Sequence, residues 1–405
     1  MNNNQNMQSN WMKQTIWVIA ASFLIHVQAC AASKSEAKKP LVNDSLQSKI
    51  DSFYQNIFNI SKHEQIKTEI CEEIQSHINT YNRLSNINNN YKTVLKSIDS
   101  QVAKQKNKSD SLFIFKSKIQ KTIQENDSNI IYLKRLVNIQ KKEEKAIKET
   151  ISKLESKSNG IKISIKQLVT QLNGPINIRL NGGTINCFIV DPKIYYINTH
   201  LINPKGDYFH TFSALDAYFK SKKDSCEMIT NAGMFEPNYQ PVGLYIEAAK
   251  KVKNRLNTDT FYNSDNFHLY PNGIFFIDSN TIPCIKTTKA FRTLDSAYVK
   301  KIKIATQSGP MLIIDKTIHP KFSKISSNDK IRSGVGIMQG NKVVFACTEY
   351  PETFYNFADF LKTIFGCDNA LFLDGAISKM YLKGYNQPDG IMHFGPMISI
   401  SRLKK

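Results

Sequence analysis

Between Leu46 and Leu172 the apolar residues recur at steps of three and four. They run Leu46, Ile50, Phe53, Ile57 and Ile60, then Leu84, Ile87, Tyr91, Val94 and Ile98, and later Ile147, Ile151 and Leu154. A helix turns once every 3.6 residues, so this spacing gathers the apolar side chains on one face. No proline falls between Pro40 and Pro175, and Gly160 is the first glycine of the stretch, so nothing interrupts helix propagation. The pattern predicts long amphipathic helices over 45–173, with turns at the polar breaks Asn86–Asn90 and Asn107–Asp110. An antiparallel hairpin within one chain and a coiled coil between chains both satisfy it, so self-association through the helices is one expectation. The segment holds no catalytic constellation and reads as a spacer or an oligomerisation element. His63 and His77, with polar neighbours, read as surface positions rather than metal ligands.

After Asn173-Gly174-Pro175 the period changes. Short β-prone runs follow one another between glycines and prolines: Cys187–Val190, Tyr195–Ile197, Gly273–Ile277, Met311–Ile314, Val343–Ala346 and Ala370–Leu373. Helical spacing returns only at Phe212–Lys220 and Phe354–Phe365. The fold class is therefore α+β, with a mixed α/β domain over 175–405 preceded by the long helical, coiled-coil-like segment, and about 230 residues suffice for a core of its own.

The N-terminus adds an address. Lys13 precedes an apolar run from Ile16 to Val27, of a length that suits an export signal better than a spanning helix, and Val27-Gln28-Ala29-Cys30 follows. That ending resembles a bacterial lipobox, which makes residues 1–30 a signal peptide and Cys30 the lipidated residue holding the protein to a membrane. Ordinary cleavage after Ala29 or Ala31, giving a periplasmic or secreted protein, and a retained N-terminal helix are the alternatives. Residues 31–44, with Ser-Lys-Ser-Glu-Ala-Lys-Lys-Pro, read as a polar tether. A net charge of +20 suits any polyanion, whether nucleic acid, an anionic membrane or a phosphorylated glycan. Nucleic acid is not expected as a partner, because the lysines are scattered and no zinc-finger spacing or single-strand platform accompanies them. The cysteines show no CxxC pair and hence no zinc knuckle.

Four segments combine tight-turn glycines with polar residues beside the strands, where loops on a rigid support present functional groups. They are Asn231-Ala232-Gly233-Met234-Phe235, Gln307-Ser308-Gly309-Pro310, Arg332-Ser333-Gly334-Val335-Gly336 and Leu373-Asp374-Gly375-Ala376-Ile377-Ser378. In this order, with Pro241-Val242-Gly243-Leu244, Asn266-Phe267, Pro271-Asn272-Gly273 and the stretch Tyr350–Ala358, they resemble the phosphodiester glycosidase family over roughly Cys187 to Ile400. Two motifs depart from the usual form. Asn-Ala-Gly-Met-Phe stands where many relatives have Asn-Gly-Gly-Phe-Phe, and Leu-Asp-Gly-Ala-Ile-Ser where they have Leu-Asp-Gly-Gly-Gly-Ser, which suggests a distinct bacterial branch and an altered substrate.

The resemblance implies a cell-envelope hydrolase acting on a sugar-1-phosphate diester or related envelope glycan. Glycoside cleavage passes through an oxocarbenium-like state that a carboxylate stabilises. Asp374, emerging at a strand end, is the candidate carboxylate. Arg332 is the candidate phosphate clamp, with a structural arginine as its alternative reading. Glu236, Glu247, Glu349 and Asp315 compete as second acid, with Glu349 favoured for its place beside the strand Val343–Ala346. Asn231, Gly233, Gln307, Gly309, Gly375 and Ser378 are the expected substrate-binding positions. His268, His319 and His393 read as structural or surface groups. No cofactor is required by the pattern, although Asp374 with a second acid also suits a divalent cation. Two other functions fit the chain: an envelope lipoprotein that binds carbohydrate or peptidoglycan without turnover, and a metal-dependent phosphodiesterase.

Overall fold

A computed structural model of the chain describes residues 44–403 except 105–109, 249, 254–255, 259–265, 376, 387 and 389–390. The expected leader, Cys30 and nearly all of the tether lie outside the described residues. The chain forms two units, Ser52–Ile161 in one, and Lys162 onward together with the residues up to Asp51 in the other.

The first unit is the middle of two helices, α1 (Asp44–Lys104) and α2 (Asp110–Gln171), whose outer ends, up to Asp51 and from Lys162, belong to the second unit. Asn88 donates to Asp127 Oδ1 at 2.8 Å and accepts from Asn126 Nδ2 at 2.8 Å, Gln140 donates to Glu73 at 2.8 Å, and Lys116 pairs with Asp99. Partner numbers fall on α2 as they rise on α1, so this is an antiparallel hairpin within one chain. Ile74, Ile98, Ile119, Ile130, Leu133 and Ile151 are its buried apolar positions. The turn expected at Asn86–Asn90 does not exist, and α1 runs straight through it. Asparagine breaks helices by bonding its own backbone, and Asn88 instead spends its amide on the opposite helix. The second expected turn falls largely on undescribed residues. Among the described residues no helix is long and apolar enough to cross a membrane.

The second unit begins with β1 (Gly174–Leu180), β2 (Gly183–Val190), β3 (Tyr195–His200), α3 (Phe212–Ser221) and β4 (Cys226–Asn231). It continues through β5 (Tyr245–Glu247), β6 (Lys250–Lys253), β7 (Gly273–Ile277), β8 (Pro283–Thr287), the short α4 (Thr288–Arg292) and α5 (Ser296–Val299), β9 (Ile304–Ser308), β10 (Met311–Ile314) and β11 (Thr317–Ile318). It closes with β12 (Asp329–Lys330), β13 (Ser333–Ile337), β14 (Val343–Thr348), β15 (Glu352–Thr353), α6 (Phe354–Thr363), β16 (Asn369–Phe372), β17 (Met380–Leu382) and β18 (Met397–Arg402). The main sheets are β1-β2-β14-β13-β16-β10-β11, β17-β4-β18-β3 and β6-β5-β9-β7-β8, with β12-β15 as a two-stranded ribbon.

One core joins the three large sheets: Phe188, Val335, Phe345 and Leu371 from the first, Met228, Ile398 and Ile400 from the second, and Phe275 and Ile304 from the third. Such runs are apolar on both faces because they are covered on both, which is why they read as unbroken hydrophobic blocks in the sequence. The helix ends are tied into this unit. The Gln47 side chain donates to the Arg179 carbonyl at 2.9 Å and accepts from its N–H at 3.0 Å, imitating one more strand beside β1. Lys342 donates to the Thr170 and Leu172 carbonyls at the end of α2, where an ammonium also suits the helix dipole. Cys187, Cys226, Cys347 and Cys367 are free and buried, whereas Cys71 is exposed.

Candidate functional site

Ser333, the first residue of β13, organises the centre of the second unit. Its hydroxyl lies 2.9 Å from the Asp374 carbonyl, to which it donates, and accepts from the Asn231 amide at 2.9 Å. Ser378 Oγ lies 3.0 Å away and reaches the same Asp374 carbonyl. The Asn231 oxygen accepts from the Lys379 backbone N–H at 3.2 Å. Three segments far apart in sequence therefore meet at one serine: the end of β4, the start of β13 and the turn after β16. Gly375, Ser378 and Lys379 from that turn, with Lys330, Thr348, Glu349, Asn186, Asn386 and Met392, line a cleft of about 530 Å³.

The expected site residues separate into two groups. Glu349, Gly375 and Ser378 line the cleft. Glu349 is exposed, and Asn186 donates to its Oε1 at 2.8 Å, which fixes the carboxylate's orientation. Asp374 precedes Gly375 and is 8% exposed, with its backbone held by the two serines. Of the other acids considered, Glu236 and Asp315 sit exposed on turns. Glu247 is half-buried and accepts from the Leu201 N–H at 2.9 Å, with its pKa raised from 4.5 to about 7 chiefly by burial.

The remaining residues hold the turns rather than face the cleft. Arg332, expected as a phosphate clamp, is completely buried. Its Nε donates to the Glu352 carbonyl at 3.0 Å and its Nη2 to the Asn328 carbonyl at 3.0 Å, while the guanidinium stacks 3.9 Å over the Phe354 ring. Burial lowers its pKa to about 10, so it stays charged at neutral pH and pins the 328–352 loops together. Gln307, expected to bind sugar hydroxyls, is equally committed. Its oxygen accepts from the Leu244 and Asn257 N–H groups at 3.0 and 2.9 Å, and its nitrogen donates to the Asn257 carbonyl at 2.7 Å and Thr288 Oγ1 at 3.1 Å. That set uses the full capacity of a primary amide. Asn231, 1% exposed, is a third internal brace. Gly233 is required by proximity, because a Cβ there would stand 2.3 Å from the Gln307 carbonyl oxygen, and Gly309 is pressed against Asn272 in the same way.

Sequence reasoning passed over Ser333, Lys330, Lys379 and Asn186. Ser333 lies inside a motif chosen for its arginine and glycines, and Lys379 follows Ser378 directly; the signal lay in the motifs' own neighbours. Lys330 and Lys379 are exposed and are the cleft's cations. His319 is structural, since its Nε2 faces the Tyr270 carbonyl at 2.9 Å and its Nδ1 accepts from the Lys321 N–H at 3.2 Å. Among the described residues no group of three or more His, Cys, Asp or Glu side chains is arranged to hold a metal.

Comparison with known proteins places the chain. Residues 224–398 match the phosphodiester glycosidase family. The uncharacterized protein YigE of Escherichia coli (strain K12) is 32% identical over 219 residues, which cover 54% of this chain and 82% of that protein. Among solved structures, the zebrafish N-acetylglucosamine-1-phosphodiester alpha-N-acetylglucosaminidase catalytic domain, auto-inhibited by its pro-peptide, has a TM-score of 0.39 and 14% identity over 56% of this chain and 81% of that one. A putative exported protein from Burkholderia pseudomallei K96243 has a TM-score of 0.35 and 11% identity over 54% of this chain and 74% of that one. A glycosidase-type function accords with the family and with the polar cleft. On its match to the family and its likeness to YigE, the chain belongs to the phosphodiester glycosidases.

Proposed function

We propose that the chain hydrolyses the glycosidic bond of a sugar-1-phosphate diester or a related phosphorylated envelope glycan, in the cleft lined by Glu349, Ser378 and Lys379. The observation that carries this reading is the meeting of an oriented carboxylate, two ammonium groups and a hydroxyl in one cleft. Positive charge builds at the anomeric carbon as the bond breaks, and Glu349 and Asp374 are the carboxylates that offset it. The departing phosphate is already a good anion, so it needs electrostatic support more than a proton. Lys330 and Lys379 supply that support in place of the buried Arg332. Ser378 and Asn186 orient sugar hydroxyls and Glu349 respectively. Export through the signal expected over residues 1–30, with lipidation at Cys30, would hold the enzyme at a membrane.

The test is sugar release by the full chain from an N-acetylglucosamine-1-phosphate diester in isotope-labelled water. Turnover with label in the sugar is the expected outcome, and Glu349→Gln and Asp374→Asn should each lower kcat by about 10²- to 10⁴-fold. Label in the phosphate would mean that the P–O bond breaks, and would sink the assignment.

A further inference from the structure

Three loops meet at one end of the four-stranded sheet: residues 201–211 after β3, 232–244 after β4, and 391–396 before β18. They are stitched together by Ala232 N–H to the Pro396 carbonyl at 2.9 Å and Phe394 N–H to the His210 carbonyl at 2.6 Å. Beneath them Phe212 and Phe394 stack at 4.2 Å and are buried. Above them lies a second layer of rings, Tyr208, His210, Phe235, Tyr239 and His393. His210 lies 4.4 Å from Tyr239 and 5.4 Å from His393, and Phe235 stacks 5.9 Å from Tyr239. Unlike the lower layer, none of these rings is fully buried.

Several features set this layer apart from ordinary loop packing. His210 and Tyr239 both have left-handed backbones, at φ 57° and 65°, where a non-glycine residue is strained and where strain collects at binding sites. His210 Nδ1 is shielded from solvent and has no hydrogen-bond partner among the described residues. Burial and the neighbouring His393 both lower the His210 pKa, which keeps its ring neutral and able to accept or donate. The ring edges carry the Tyr208 and Tyr239 hydroxyls, the first of them bonded by the Gln240 amide. Rings with polar rims suit a ligand with apolar C–H faces and hydroxyl edges, which describes a pyranose. Met392 lines the cleft, and the next residue in the chain, His393, joins the rings.

We propose that this aromatic layer is a second subsite, binding a neutral sugar ring of the glycan that carries the scissile phosphodiester. The inference rests on the glycosidase reading for its biological context, but its test does not need turnover. Chitotriose, maltotriose and mannotriose are titrated separately into the full chain by calorimetry, using wild type, Tyr239→Ala, Tyr239→Phe and His393→Ala. At least one trisaccharide should bind the wild type. Tyr239→Ala and His393→Ala should weaken that binding about tenfold, whereas Tyr239→Phe should stay within about threefold. If Tyr239→Ala fails to fold, the exposed His393 decides through its own variant. No binding of any trisaccharide, or equal affinity in wild type and His393→Ala, overturns the subsite. Failure of sugar release in the labelled-water assay, with ring-dependent binding intact, removes the hydrolase reading and leaves the subsite standing.

Discussion

Arg332 and Gln307 are polar residues in conspicuous motifs, yet both spend their hydrogen bonds inside the protein. Removing either leaves buried backbone groups without partners. Arg332→Ala should therefore cost on the order of 3–5 kcal/mol and Gln307→Ala about 2–4 kcal/mol in denaturant unfolding. Glu349→Gln, at an exposed carboxylate, should change stability by less than about 1 kcal/mol while abolishing most turnover. A stable Arg332→Ala variant would return that guanidinium to the substrate. The motifs stand out in the sequence but what their side chains contact does not, because whether an amide faces a cleft or a loop is decided by contacts far apart in sequence. Gln307 and Asn257 illustrate this: nothing in either local sequence announces the other.

Two neighbouring titrations belong to the same scale. Glu247 has its folded pKa raised from 4.5 to about 7, so the stability of its protonated form is present below 4.5 and is lost as pH rises through about 7. His200, bonded to Ser399 Oγ at 2.8 Å, is lowered by burial from 6.5 to about 4, so its contribution is present above 6.5 and is lost as pH falls through about 4. Relative to wild type, the melting temperature of Glu247→Gln should rise as pH goes from 4.5 to 7, and that of His200→Asn should rise as pH goes from 6.5 to 4. Parallel curves for wild type and variants would remove both assignments.

Among the elements, the six apolar runs read from the sequence fall on β2, β3, β7, β10, β14 and β16, and the two helical runs on α3 and α6, while strands such as β4 and β18 and the short α4 and α5 went unread. Gly273–Ile277 and Met311–Ile314 coincide with β7 and β10, and the run at Phe212 opens α3. Closely spaced apolar blocks bounded by glycine leave few other options. The pattern failed at Asn86–Asn90, where composition favoured a turn and the partner helix reversed the preference. Asn88 is central to that reversal, exchanging bonds with Asn126 and Asp127. Asn88→Ala should lower the hairpin's stability by about 1–2 kcal/mol, read as a lower melting point by circular dichroism. The register of the sheets, and hence the meeting of β4, β13 and the turn after β16 at Ser333, was not legible, since strand order is a property of the whole fold rather than of any one run.

Across the whole molecule, the positive charge narrowed the ligand class without placing a site, and the thiols place something the charge does not. Burial pushes Cys226 and Cys347 up to about 12 and raises Cys187 and Cys367 well above their ordinary value, so none of them offers a thiolate in the folded state. These sulfurs consequently act as clocks. A thiol reagent added to the native protein should label the exposed Cys71 first, then the half-buried Cys284, and these four only as fast as the sheets come apart, so the slowest phase measures how often the second unit opens. Immediate modification of Cys187 and Cys347 would mean that the sheets breathe far more freely than their packing allows.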